Sequence, residues 1–160
     1  MDLNAEVHQI LQDAKRLARR YHQLTGKPLG VTGEVAEYEA ARILGLELSL
    51  ARQAGFDATE IRHGTTHQVQ IKGRYMPKPL TRGGRLGAID LAQPFDAVLL
   101  VLLDADYNAF AIYEAARPAV EALLTRPGSM ARNERGSVGI SQFKAISVLR
   151  WSAMKAGSAG

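Results

Sequence analysis

A chain of 160 residues that is 46% hydrophobic and 22% charged has the size and polarity of one globular domain. It contains no cysteine, which excludes disulfides, thiolate zinc sites and cysteine nucleophiles. The net charge of +4 is concentrated: Ile61 to Ile89 carries Arg62, Lys72, Arg74, Lys78, Arg82 and Arg85 and no acid, a distribution that attracts polyanions.

The first predicted element is an amphipathic helix from Asp2 to Leu24, in which Leu3, Val7, Ile10, Leu11, Ala14, Leu17, Ala18, Tyr21 and Leu24 recur at helical spacing. Its apolar stripe is broad enough either to cover a sheet or to join two subunits, so a homodimer is compatible with it. Gly26 and Pro28 stop it. A second helix is expected from Thr32, as N-cap, through Leu44, with Gly45 ending it. Glu34 and Glu37 lie one turn apart on it, away from the apolar stripe.

Leu46 to Ala54 reads either as extended or as a short helical turn. Asp57 to Arg62 and His67 to Arg74 alternate like strands around His63-Gly64-Thr65-Thr66, a hairpin. Tyr75 to Ala88 reads as a basic loop rich in Gly and Pro. Asp96 to Asp104 is the most apolar stretch, expected to be a strand buried on both faces. It turns through Asp104-Ala105-Asp106 into a partner at Asn108 to Tyr113. A helix from Glu114 to Leu124, a polar loop from Arg126 to Gly139 and a last strand from Ala145 to Trp151 complete the order. The expectation is an α/β fold, a mixed sheet with helices packed around it. Residues 1–27 form the additional helix, 28–152 the core and 153–160 a frayed tail. The longest apolar run, Ala97 to Leu103, falls far short of the ~20 residues of a membrane-spanning helix. Asp2 and Glu6 at the start are unlike a signal peptide. A soluble, cytoplasmic protein is expected.

Chemistry concentrates on the second hairpin strand. There Gln70 and Lys72 share one face while Val69 and Ile71 share the other, and Asp57 opens the strand across the hairpin. A carboxylate beside an amide oxygen and a lysine can hold a hard cation on oxygen ligands and place a positive charge by a phosphate. Taken singly each residue has a plainer explanation: Asp57 as a strand-end residue, Gln70 and Lys72 as an exposed sheet face, Glu34 as a helix-dipole partner. His63 and His67 are four apart, but across a turn rather than on a helix. No nucleophile elbow or phosphate-binding glycine motif is present.

Asp57, then twelve residues, then Gln70-Ile71-Lys72 resembles the Asp…(Asp/Glu)-x-Lys signature of the restriction-endonuclease-like PD-(D/E)XK nucleases. Gly33-Glu34-Val35-Ala36-Glu37 resembles the glutamate-bearing helix of their resolvase-like and Mrr-type members, and the likeness spans roughly Gly30 to Tyr113. It implies a restriction-endonuclease-like mixed central sheet flanked by helices, an α-β-β-β-α-β core. It also implies hydrolysis of nucleic-acid phosphodiesters, of DNA in the first place, dependent on Mg²⁺ or Mn²⁺. Carried over by position, Asp57, Gln70 and Glu34 would hold the metal, with Glu37 in reserve, and Lys72 would be the catalytic lysine. Arg62, Arg74, Lys78, Arg82 and Arg85 would bind the backbone. Gln70 departs from the pattern, standing where an acid is usual, and Phe56 replaces the signature proline. An amide oxygen ligates without adding charge, so weaker metal binding or a preference for Mn²⁺ is expected. A non-catalytic nucleic-acid-binding module on the same fold, or a protein-interaction subunit, are the alternatives.

Overall fold

The structure, a computed structural model, describes residues 2–49, 55–78, 84–127 and 137–153. Two helices come first, α1 (Leu3–Thr25) and α2 (Thr32–Leu44). Five strands follow: β1 (Glu47–Leu48), β2 (Ala58–Arg62), β3 (Thr65–Tyr75), β4 (Ala97–Leu103) and β5 (Ala109–Ala116). Helices α3 (Arg117–Leu124) and α4 (Ile140–Ala145) precede the last strand, β6 (Val148–Ser152). The six strands form one mixed sheet in chain order. Every neighbouring pair is antiparallel except β3 and β4, which run parallel. No helix among the described residues is long and apolar enough to cross a membrane.

The expected elements are present, with shifts that have local causes. Helix α2 starts at Thr32 itself, with Val31 in the cap position and no side-chain cap bond. The hairpin turn is tighter than expected. His63 and Gly64 both adopt positive φ, 50° and 79°, the geometry of a two-residue hairpin loop, so β3 begins at Thr65. Strand β5 runs to Ala116 because its ladder with β4 extends to Ala97↔Ala116, and α3 therefore starts at Arg117, with Pro118 in its first turn. Ile140–Ala145, unassigned up to Ala145, folds as a helix that buries Ile140 and Phe143 one turn apart, and the last strand therefore begins at Val148 rather than Ala145. The loop of Arg126 to Gly139 lies mostly outside the described residues, as do Arg82 and nearly all of the expected tail.

Strand β4 is buried along its whole length and divides the core in two. Its odd-numbered side chains join Val35, Ala36, Ala40, Val69 and Ile71 under α2. Its even-numbered ones join Val120, Leu123, Ile140 and Phe143 under α3 and α4. Gly73 permits the close approach of α2: a Cβ there would stand 2.5 Å from that of Ala36.

A carboxylate locks the helical layer to the sheet. Glu39, fully buried on α2, accepts from Lys15 of α1 at 3.1 Å, from Arg42 at 3.1 Å and from the Ala109 amide at 2.8 Å. Burial alone would raise its pKa, but the bonds from Ala109, Arg42 and Lys15 outweigh that and hold it below the usual value. A second charged group lies on the α2 face of the sheet, where Arg62 and Arg150 bind Glu60 and Glu114. These residues come from β2, β5 and β6, strands three and four places apart, so the sheet must curl to bring them together.

Removing one partner of a buried ion pair leaves the others unpaired, so Glu39→Ala is predicted to destabilise the fold by roughly 3 kcal/mol in urea unfolding near neutral pH. A lowered folded pKa stabilises above the unfolded carboxyl pKa, and that contribution vanishes as pH falls through the folded value. The deficit of the variant should accordingly shrink in acid.

Candidate active site

The site is built where β2 leaves the sheet. Asp57 keeps the ladder going for one more step, its amide donating to the Val69 carbonyl at 2.9 Å. Beyond it β3 continues without β2, and the Asp57 carboxylate takes over, accepting the Ile71 amide at 2.8 Å through Oδ2. Gly55 makes the approach to this position, with φ of 92° and Pro94 so close that a Cβ would stand 2.5 Å from its carbonyl oxygen. No side chain fits there, so the chain entering Asp57 is held against the segment leading into β4.

Helix α2 brings its glutamates to the same place. Glu37 is half-buried and Glu34 exposed. Burial, then the charge of Asp57, then that of Glu34 push the Glu37 carboxyl up from 4.5 to about 7. The sequence ranked Glu34 first and Glu37 as reserve; the structure gives Glu37 the more enclosed position.

Gln70 and Lys72 lie on the face of β3 away from α2, in register with Val98 and Leu100 of β4. Gln70 is buried, and its Oε1 accepts no hydrogen bond, an uncommon state for a buried amide oxygen. Lys72 donates from Nζ to the Ala88 carbonyl at 2.9 Å, which fixes the ammonium beside the backbone at Gly87 and Ala88. The sequence held no sign of that partner, which belongs to the loop expected to be irregular.

The basic residues are distributed differently from one another. Arg62 is committed to Glu114 and Glu60, and those two carboxylates raise its pKa further. Arg85 is anchored at Ser137, Nε to the neutral Oγ at 2.6 Å. Arg74 lies on the face of Gln70 and Lys72, its guanidinium 3.8 Å from where a Cβ on Gly84 would stand. Lys78 is exposed just after β3, and Arg82 is outside the described residues.

Comparison with known proteins finds no matching family model and no matching curated protein.

Among the described residues no three His, Cys, Asp or Glu side chains enclose a metal position. Two carboxylates, Asp57 and Glu37, are electrostatically coupled here, while the unpartnered amide oxygen of Gln70 lies on the opposite face of β3. Hard oxygen atoms such as these suit Mg²⁺ or Mn²⁺, ions that bind one or two carboxylates and complete their shell with water and phosphate. The orphaned Gln70 oxygen and the elevated Glu37 carboxyl both fit such an ion, because each lacks the positive partner that it would supply.

A carboxyl with a folded pKa near 7 and an unfolded one near 4.5 binds its proton more tightly when folded, so stability falls as pH rises between those values. Glu37→Gln is therefore predicted to be more stable than the parent at pH 8, by roughly 1–2 kcal/mol once solvent screening is allowed for. The gain should vanish near pH 4. Thermal melts of both chains across this range test it.

Proposed function

We propose that this chain is a divalent-metal-dependent nuclease domain of the restriction-endonuclease-like kind, hydrolysing DNA phosphodiesters. The observation that carries the reading is the meeting of Asp57, anchored to the Ile71 amide, with the charge-starved Glu37 beside the strand that presents Gln70 and Lys72. The architecture supports it. A glutamate-bearing helix precedes three antiparallel strands, and the next strand lies parallel to the third, the order implied by the resemblance up to that point. The architecture departs from the implied core in that residues 76–96, between β3 and β4, contain no helix among those described, and β5, α3, α4 and β6 follow β4.

In this reading Asp57, Glu37 and Gln70 would hold the cation, the last from the face of β3 opposite α2, with the charge of Glu34 adding to that of Asp57 at Glu37. The metal supplies Lewis acidity at the phosphate and a more acidic water. Glu37 must give up its proton for the cation to bind, so affinity is greater at pH 8 than at pH 6. Lys72, steadied by the Ala88 carbonyl, keeps a positive charge where negative charge grows on the phosphate. Arg74, Lys78, Arg82 and Arg85 position the DNA backbone without reading sequence. Arg62 drops out of this set because its charge is matched by Glu60 and Glu114. The absence of charge on Gln70 favours a second reading, a module that binds nucleic acid without cutting it.

Nicking of supercoiled plasmid with Mg²⁺, Mn²⁺ or EDTA separates the two. The expected result is metal-dependent nicking that falls at least ~100-fold in Asp57→Ala and in Lys72→Ala. No nicking by the parent chain with either metal at pH 8 would overturn the catalytic reading. In that case salt-dependent DNA binding, retained or strengthened in Asp57→Ala, would establish the binding module.

A further inference from the structure

Helix α1 presents a row of large apolar side chains that nothing among the described residues covers. Leu3, Ile10, Leu17 and Leu24 are 56, 59, 64 and 69% exposed, and Tyr21 beside them is 39% exposed. This is not the face by which α1 packs on its own domain. That side holds buried Ala18, Lys15 bound to Glu39, and the His8 and His22 rings set edge-on against Tyr38 and Tyr75.

The four aliphatic residues recur at every seventh position. A seven-residue repeat marks a seam that faces another helix, since two helices wound about each other return the same position to the contact every two turns. The row is also the same read in either direction, large aliphatic groups at equal intervals, as a two-fold contact of one surface with itself requires. Charge fixes the direction. Along one flank of the row run Glu6, Asp13 and Arg20. A parallel pair would set each beside its like. An antiparallel pair brings Glu6 of each copy to Arg20 of the other and leaves Asp13 near the axis, where Arg16 of its own helix already pairs with it. The row offers on the order of 500 Å² of apolar surface per copy, at the upper end of what monomers leave exposed. Two such faces reach the ~1,000 Å² that a specific interface needs.

We propose that the chain forms a two-fold homodimer through antiparallel pairing of α1. The proposal stands apart from the catalytic reading and does not depend on it. Sedimentation equilibrium at tens of micromolar should find a dimer, and Ile10→Glu combined with Leu17→Glu should weaken association at least ~100-fold while circular dichroism retains the folded signal.

Engineered cysteines keep the test decisive should that variant fold poorly, because the chain has no cysteine of its own. In an antiparallel pair the two Glu6 positions lie roughly 20 Å apart along the axis, too far for a disulfide. A mixture of Glu6→Cys and Arg20→Cys chains should therefore cross-link at least ~10-fold faster than Glu6→Cys alone. A monomer at every concentration, a dimer that survives the double substitution, or Glu6→Cys chains that cross-link to themselves as fast as the mixture would each overturn the proposal.

Discussion

The contact on which the site depends is the hydrogen bond from the Ile71 amide to the Asp57 carboxylate. Strand β3 runs on past the end of β2, and its amide on that side would otherwise face a gap. A buried amide without an acceptor is costly, and a carboxylate is the strongest acceptor a side chain can offer. The bond closes the gap and at the same time immobilises the carboxylate at the sheet's edge, beneath the helix that carries Glu37. Structural need and chemical placement coincide in one side chain: the interaction that ends the ladder also adds a negative charge to the burial that already raises the Glu37 carboxyl.

That problem persists only because the helix is held down. Gly73 lets α2 lie directly on β3, and the bonds of Glu39 to Lys15, Arg42 and the Ala109 amide tie α1, α2 and β5 into one unit. Were α2 free to rise, Glu37 would move toward water and relax. On the same face, the cluster of Glu60, Arg62, Glu114 and Arg150 draws β2 toward β5 and β6. Acids and bases are balanced within it, which is why Arg62 contributes nothing to the basic character of the surrounding sequence.

Much of this was legible along the chain, wherever the signal is local. The periodicity of α1 and α2, the alternation of the hairpin and the unbroken apolar run of β4 follow from the spacing of neighbours. Asp57, Gln70 and Lys72 could be singled out because strand alternation alone puts the last two on one face. What could not be read depends on residues far apart. The difference in burial between Glu34 and Glu37 is decided by where α2 settles on β3. The commitment of Arg62 is decided by the curl of the sheet, and the extension of β5 by pairing with β4 rather than by the sequence of residues 114–116, which suits a helix equally well. The exposure of Leu3, Ile10, Leu17 and Leu24 is similar in kind: the pattern marked an amphipathic helix, but only the packed structure separates the residues that meet α2 from those that do not.

Burial and the charge of Asp57 leave the Glu37 carboxyl in want of a positive neighbour. The carboxyl carbon resonance of Glu37, followed by NMR through a pH titration with and without Mg²⁺, reads this out. A midpoint near 7 is expected in the absence of the ion, displaced well downward when Mg²⁺ is added. A midpoint near 4.5 that ignores Mg²⁺ would show that the carboxylates are neither coupled nor waiting for a cation, and would contradict the account.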